Sequence, residues 1–492
     1  MISGAGLLAV WLLAAGPAGY AESTDEPRSV VVLTNGEEST GESNRLVESV
    51  PPPASRPAVL PADPVYDVPG SLSSAEGIPG LPPDEEEKSS ATTKEVPPQQ
   101  PTSPTQSPPA DTTKAGEALL TDEQSGASCG ECSEAGFARR WLGGLYWEGW
   151  LAQGFTVNTL SPRNRSNGTV GFNDRSNDYQ LNQLYMRLGR DIERWCDAWD
   201  LGGRVDLLYG TDSVYTVARG LEVRDDLSPK WNAQRYGLAM PQCYMEVYSP
   251  WGNGLSMKLG HFYSTLGYET VTAPDNFFYS HSYARTFGEP YTHTGFLGET
   301  TLGAFTILAG MTRGWDNWED NNNDLGFLGG ILWTSPNQRT HVAINVHAGR
   351  EQPDPNTSIR TIYSLVIQQD LGERWQCVIQ HDFGQEPDAG IDRDNAAWYG
   401  LNQYLFYTIN DCWRAGLRFE WFRDEGGTRI PGADRTADYF QLCPGLNWTP
   451  NDRLVLRTEL RWDWTGTSEY YPFGDETRSH QLLWDLDLIV RF

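Results

Sequence analysis

The sequence predicts an all-β fold, a transmembrane antiparallel β-barrel of about 16 strands preceded by a disordered Pro/Ser/Glu-rich N-terminal segment. Three observations predict it. From His480 to Phe492, the residues Leu482, Trp484, Leu486, Leu488, Val490 and Phe492 recur at every second position, with Asp485, Asp487 and Arg491 between them. A strand sends alternate side chains to opposite faces, so one face is wholly apolar and the other carries charge. Aromatics make up 12% of the chain, with 19 Trp and 22 Tyr, yet the mean hydropathy is -0.51. A barrel tolerates that combination because only alternate residues meet lipid. Finally, no apolar run past the N-terminus is long enough to cross a bilayer as a helix.

Taken in order, residues 1–21 read as a signal peptide. Gly4 to Ala18 are mostly small and apolar, and Gly19-Tyr20-Ala21 offers small residues where a signal peptidase cleaves, although no Lys or Arg precedes the apolar core. Residues 22–139 form an acidic, Pro-rich linker with Pro51-Pro52-Pro53, the run Asp84 to Glu87, and Pro97-Pro98. Such a segment buries too little apolar surface to offset the entropy of ordering it. Cys129-Gly130-Glu131-Cys132 has the spacing of a redox or metal half-site but lacks a second pair, so a disulfide or free thiols is the plainer reading. The net charge of -28 argues against nucleic acid as a partner, because phosphate affinity needs a basic surface. Nothing in the sequence calls for a cofactor or a metal: His341 and His347 share a strand face but stand about 20 Å apart along it.

From residue 140 to 492 the chain alternates strands and turns. Provisional strands fall at 140–153, 179–190, 199–211, 240–249, 254–264, 292–303, 304–315, 324–335, 339–350, 360–371, 374–385, 397–409, 412–424, 437–449, 453–465 and 480–492. Their connections sort by parity. Short turns such as Gly303-Ala304, Gly372-Glu373 and Asn410-Asp411 alternate with long polar stretches such as 154–178, 212–238 and 265–291. Outer-membrane barrels have short periplasmic turns and long external loops, whereas a soluble sandwich has no reason to sort them. Within strands the apolar face persists: Trp413, Ala415, Leu417, Phe419 and Trp421 alternate with Arg414, Arg418 and Glu420, and Leu454, Leu456, Leu460, Trp462 and Trp464 alternate with Arg453, Arg457, Glu459, Arg461 and Asp463.

So many inward charges are costly to bury, which predicts a wet lumen. Arg187, Arg204, Lys258, Arg414, Arg418, Arg457 and Arg461 are the candidates for a basic pore lining, and satisfied luminal salt bridges are the plainer alternative. The closing strand is expected to pair with the first, near Leu142 to Trp150, with Asp485, Asp487 and Arg491 touching channel water.

The connection after the fifth strand is dense in aromatics for a solvent loop. Leu259-Gly260-His261-Phe262, Leu266-Gly267-Tyr268-Glu269, Pro274, Asn276-Phe277-Phe278-Tyr279-Ser280 and Gly288-Glu289-Pro290-Tyr291-Thr292-His293-Thr294-Gly295 resemble the OmpL-like β-barrel porins. The resemblance implies a bacterial outer-membrane porin passing small hydrophilic solutes and ions by diffusion, with outer-membrane lipid around it; monomer and homotrimer both stay open. It further implies that this loop folds inward, with Asp275, Arg285 and Glu289 at or near a constriction, where fixed charges select ions. A loop that only braces the barrel explains its aromatics equally. Two other readings are a barrel that anchors the envelope through its acidic linker, and a hydrolase built on Ser280-His281. The second lacks any motif that places nucleophile, base and orienter together.

Overall fold

The computed structural model describes residues 144–492 apart from 195–197, 225, 227, 232–234, 353–357, 391–394, 434 and 468. The signal peptide, the linker and Cys129/Cys132 lie outside the described residues.

Sixteen antiparallel strands close into one barrel. They are β1 (Tyr146–Asn158), β2 (Asp178–Arg190), β3 (Asp200–Gly210), β4 (Gly237–Ser249), β5 (Leu255–Tyr263), β6 (Thr292–Leu302), β7 (Phe305–Thr312), β8 (Gly326–Thr334), β9 (Thr340–Arg350), β10 (Ile359–Asp370), β11 (Trp375–Glu386), β12 (Ala396–Asn410), β13 (Trp413–Glu425), β14 (Ala437–Asn451), β15 (Leu454–Thr465) and β16 (His480–Arg491). Every strand pairs with its sequence neighbours, and β16 returns to β1. The seam runs from Trp150↔Arg491 to Asn158↔Leu483, further along β1 than expected. Gly154 does not end the first strand, because Phe155 and Val157 carry its outward row past it. Gly149 and Phe492 finish the seam by exchanging two backbone hydrogen bonds of 2.9 Å.

The loops keep their parity. Turns such as 303–304, 411–412 and 452–453 lie at one rim, and 159–177 (L1), 211–236 (L2), 264–291 (L3), 313–325 (L4), 426–436 (L7) and 466–479 (L8) rise from the other. Outward rows are apolar and exposed, including Leu184, Met186 and Leu188 on β2, and Leu482 and Trp484 on β16. Aromatic rims are densest from β11 to β16, where Trp421, Phe440, Trp462, Trp464 and Trp484 follow one another.

The inward face corrects the expectation that its charged rows meet water along their whole length. On every strand at least one inward side chain is buried, among them Thr156, Gln183, Leu208, Gln242, Phe262, Leu297, Leu308, Leu328, Asn345, Ser364, Gln380, Asn402, Glu420, Gln441, Asp463 and Asp485. Asp485 and Asp487 therefore do not touch channel water: Asp485 accepts from Asn173 of L1, and Asp487 is held by Arg457 at 2.6 Å. Arg491, half-buried, donates to the Pro274 carbonyl of L3. Burial of this many charges is affordable because the loops fold in and supply partners.

Candidate functional site

L3 is the partner. Its residues Phe278 to Tyr291, and the first two of β6 after them, are buried without interruption, although they lie inside a barrel whose strands number 16. The wall of β11–β16 holds the loop largely by its backbone. Register sets Gln380, Asn402, Glu420, Gln441, Asp463 and Gln481 side by side across six strands as one polar rung. From that rung Glu420 accepts the N–H groups of Tyr283 (2.8 Å) and Ala284 (2.7 Å). Glu459 on β15 accepts those of Tyr279 (2.8 Å) and Ser280 (3.0 Å). Three arginines donate in the opposite sense. Arg418 reaches the Ser280 carbonyl at 2.7 Å, Arg461 reaches that of His281 at 2.7 Å, and Arg457 reaches those of Ala273, Asn276 and Phe278 at 2.9, 2.7 and 3.0 Å. Each arginine is also neutralised, by Glu269 (2.7 Å), Asp463 (2.9 Å) and Asp487 (2.6 Å) respectively. Charge-assisted bonds to main-chain groups are the strong ones, and here acids take amides while guanidinium groups take carbonyls.

Glycine makes the space. A Cβ on inward Gly416 would meet the Phe277 ring at 2.4 Å, one on Gly445 the Phe278 ring at 2.9 Å, and one on Gly154 the Tyr279 ring at 2.5 Å. Three consecutive aromatics of L3 thus seat in three gaps on β13, β14 and β1. Further along, Trp398 donates its indole N–H to the Gly288 carbonyl at 2.9 Å, and Arg429 of L7 donates to that of Phe287 at 2.7 Å. L1 and L2 cover the outer side, with Phe172 tilted against His281 at 3.7 Å between ring centroids and stacked on Tyr215 at 4.1 Å.

Of the residues expected at a constriction, only Asp275 borders open space. Its carboxylate lies 3.4 Å from Arg187, and both side chains are partly exposed. Arg285 and Glu289 pair with each other at 3.1 Å inside the packed loop, Arg285 over the Tyr291 ring at 4.6 Å, and neither reaches water. Burial pushes the Glu289 carboxyl up against the pull of Arg285. Glu269 behaves oppositely: burial alone would raise its carboxyl, but Arg418, His281 and the Ser282 N–H hold it well below the usual carboxylate range.

The basic candidates separate into two groups. Arg418, Arg457 and Arg461 are buried beneath L3, because loop carbonyls occupy the positions that water was expected to take. Arg187, Arg204, Lys258 and Arg414 are half-buried nearer the rim of short turns. Arg187 pairs with Glu148 (3.1 Å) and Asp275, and Arg204 pairs with Asp206 (2.7 Å). Lys258 lies 5.0 Å over the Tyr244 ring; Arg414 lies 4.5 Å over that of Phe406 and donates to Gln376 at 2.8 Å. Among the described residues neither of these two has a carboxylate within 4.0 Å. Glu420, Glu459 and the three inward glycines were not singled out from sequence, yet a glycine on the inward parity of a strand marks a close approach.

The pair Ser280-His281 forms no nucleophile and base. The Ser280 hydroxyl accepts from Arg418 at 2.7 Å, while His281 Nδ1 faces Glu269 at 3.3 Å.

Comparison with known proteins gives a family for the barrel. The family described as "Putative beta-barrel porin-2, OmpL-like" matches residues 144–492. No curated protein matches in sequence. Among solved structures, the anion-selective porin from Comamonas acidovorans is similar at 8% identity, with 71% of this chain and 99% of that chain covered and a TM-score of 0.48. OprB from Pseudomonas putida is similar at 11%, covering 73% and 96%, with a TM-score of 0.48. OmpT from Vibrio cholerae follows at 10%, covering 71% and 97%, with a TM-score of 0.46. With the family matched over the whole barrel, the chain belongs to the OmpL-like β-barrel porins, proteins of the bacterial outer membrane.

Proposed function

We propose that small hydrophilic solutes and ions diffuse through the lumen by way of a vestibule bordered by Arg187, Arg204, Lys258, Arg414 and Asp275, and that Lys258 and Arg414 bias the passage toward anions. The bias rests on one observation. Arg187 and Arg204 sit against carboxylates, whereas Lys258 and Arg414 sit against rings and an amide with no carboxylate within 4.0 Å among the described residues; Glu246, opposite Lys258 in register, and Asp370, which acts on Arg414, stand farther off. Fixed charge in a narrow aqueous passage attracts counter-ions. Arg285 and Glu289 cancel one another and contribute nothing to selectivity on this reading.

The test is a reversal potential across a planar bilayer under a salt gradient. Lys258→Gln with Arg414→Gln moves it toward cation preference, and Arg285→Gln leaves it in place. An unchanged potential in the double variant removes both residues from the selectivity role. A homotrimer belongs to the same reading, and the mass of the detergent-solubilised protein checks it.

A second reading, a barrel that anchors without conducting, is favoured by the uninterrupted burial of Phe278 to His293. It predicts silence in the bilayer from protein that is folded by heat-modifiability.

A further inference from the structure

We propose that L3 is a movable strap: docked, it closes the lumen at mid-height, and conduction requires residues 278–291 to lift from β12–β15. The proposal rests on the channel reading above and adds a conformational step to it. Three observations carry it.

The first is closure on all sides. Each strand has at least one buried inward side chain, so no strand of the wall is left uncovered. On the β6–β10 side the cover is Leu266 at the start of L3, packed with Phe262, Leu297, Leu308, Leu328, Leu332 and Ile362. On the opposite side it is the clamp of Glu420, Glu459, Arg418, Arg457 and Arg461. With cover on every strand, the docked loop leaves solute no broad water-lined path along the wall.

The second is the state of the wall beneath the strap. Among the described residues, Asn402 has neither its amide nitrogen nor its oxygen hydrogen-bonded, although it is fully buried, and the buried Gln441 amide nitrogen likewise has no partner. Buried polar groups are normally satisfied, and a wall meant to stay dry would carry apolar side chains at these places. These amides are suited to a surface that meets water when the strap is away.

The third is how the strap is held. Its two ends touch each other: Gly267, with φ at +85°, would place a Cβ 2.1 Å from the Glu289 carboxylate. Loops whose ends meet can move as a unit. The wall grips mostly main-chain groups of the strap, in two doublets of amides and a row of carbonyls. Such bonds can be exchanged for bonds to water, and Glu269, which pairs with Arg418 from outside residues 278–291, can keep that partner while the segment lifts.

A disulfide tether tests this. A Cβ added at Gly400 of β12 would lie 3.0 Å from the Ala284 Cβ, close to the spacing a disulfide needs. Ala284→Cys with Gly400→Cys is made in the full chain with native cysteines replaced by alanine, and cross-linking is quantified by thiol labelling. Oxidised protein should lose conductance about tenfold or more relative to the same sample after reduction. Equal conductance before and after reduction overturns the strap while leaving the channel intact. Silence of the reduced protein, when folded, removes the channel reading and the strap with it. Glu420→Gln with Glu459→Gln offers a tether-free check: the loosened clamp should raise open probability, and an unchanged open probability overturns the proposal.

Discussion

The two halves of the barrel wall show the same face to lipid and opposite chemistry to the lumen. From β12 to β16 the inward rows are charged, and they grip L3 by its backbone. From β6 to β8 they carry Leu297, Leu308, Leu328 and Leu332, with Gly310 and Gly330 between them and His293, Glu299 and Thr312 toward the strand ends, and the leucines pack against Leu266 and one another. A lumen of this kind is not a uniform water-lined tube. One side holds a loop by directional bonds that fix its position, and the other offers an apolar surface that fits many positions equally. The directional side specifies where L3 sits, and the apolar side contributes area without register.

The largest expected effect tests the directional side. Arg418→Ala strips Glu269 of its cation inside the barrel, and leaving one partner of a buried pair unmatched costs about 3–5 kcal/mol. Urea unfolding in detergent measures it. Because His281 and the Ser282 N–H still face Glu269, a loss below about 1 kcal/mol would mean that they suffice and that the clamp is not the anchor. On the apolar side, Leu328→Ala should cost about 2–4 kcal/mol through the cavity it leaves. That loss should be indifferent to salt and should leave the protection of L3 amides nearly unchanged; loosening of Tyr283 and Ala284 amides in this variant would erase the distinction between the halves. Next comes Gly416→Ala, whose Cβ would strike the Phe277 ring at 2.4 Å, with a cost of about 1–3 kcal/mol if the ring cannot yield. Hydrogen exchange should then rise around 276–280 before it rises elsewhere.

The smallest effect concerns the outer loops above β4–β7, where L2 and L4 pair through Arg219 and Asn317. Burial pushes the Glu222 carboxyl up to about 7, although it accepts the Ala218 and Met240 N–H groups at 2.8 Å, and burial likewise raises Asp212 to about 7. For an acid raised in the folded state, the unfolded chain has released the proton where the folded one still holds it. The stability these groups contribute is therefore greatest below their ordinary values near 4 and is lost as pH rises toward 7. Amides of residues 218 and 240, corrected for intrinsic exchange, should be better protected at pH 5 than at pH 8. Equal protection would show that L2 is held by its backbone bridges alone.

Much of the barrel could be read from alternation, since lipid imposes one rule on every outward row. The strand count, the loop parity and the rows on β3, β9, β13, β15 and β16 follow from it directly. Alternation fails on β7 and β8. Ile307 and Leu308 are both apolar, as are Phe327 and Leu328, because that inward face meets side chains instead of water. The site was legible in part. Aromatic density marked L3 as a packed segment, and parity put Arg418, Arg457 and Arg461 inside. Neither could say that their partners would be loop carbonyls more than a hundred residues away in the chain, as Ser280 is from Arg418 and Phe278 from Arg457. A charge on an inward parity looks the same whether it faces solvent or a backbone. The inward glycines at 154, 416 and 445 were the available signal, since a strand gives up packing at such positions only where something else approaches.

The seam gives the barrel a kinetic character. Fifteen of its strand pairs join neighbours in sequence, but Trp150 must find Arg491 and Gly149 must find Phe492 across nearly the whole length of the barrel sequence. Closing so long a loop carries the greatest loss of chain entropy of any pairing and slows folding accordingly. Until that step is complete, β1 and β16 are two unpaired edges, each able to recruit the wrong strand. A factor that holds those two edges near one another would therefore act as a catalyst of assembly, without touching any residue of the lumen.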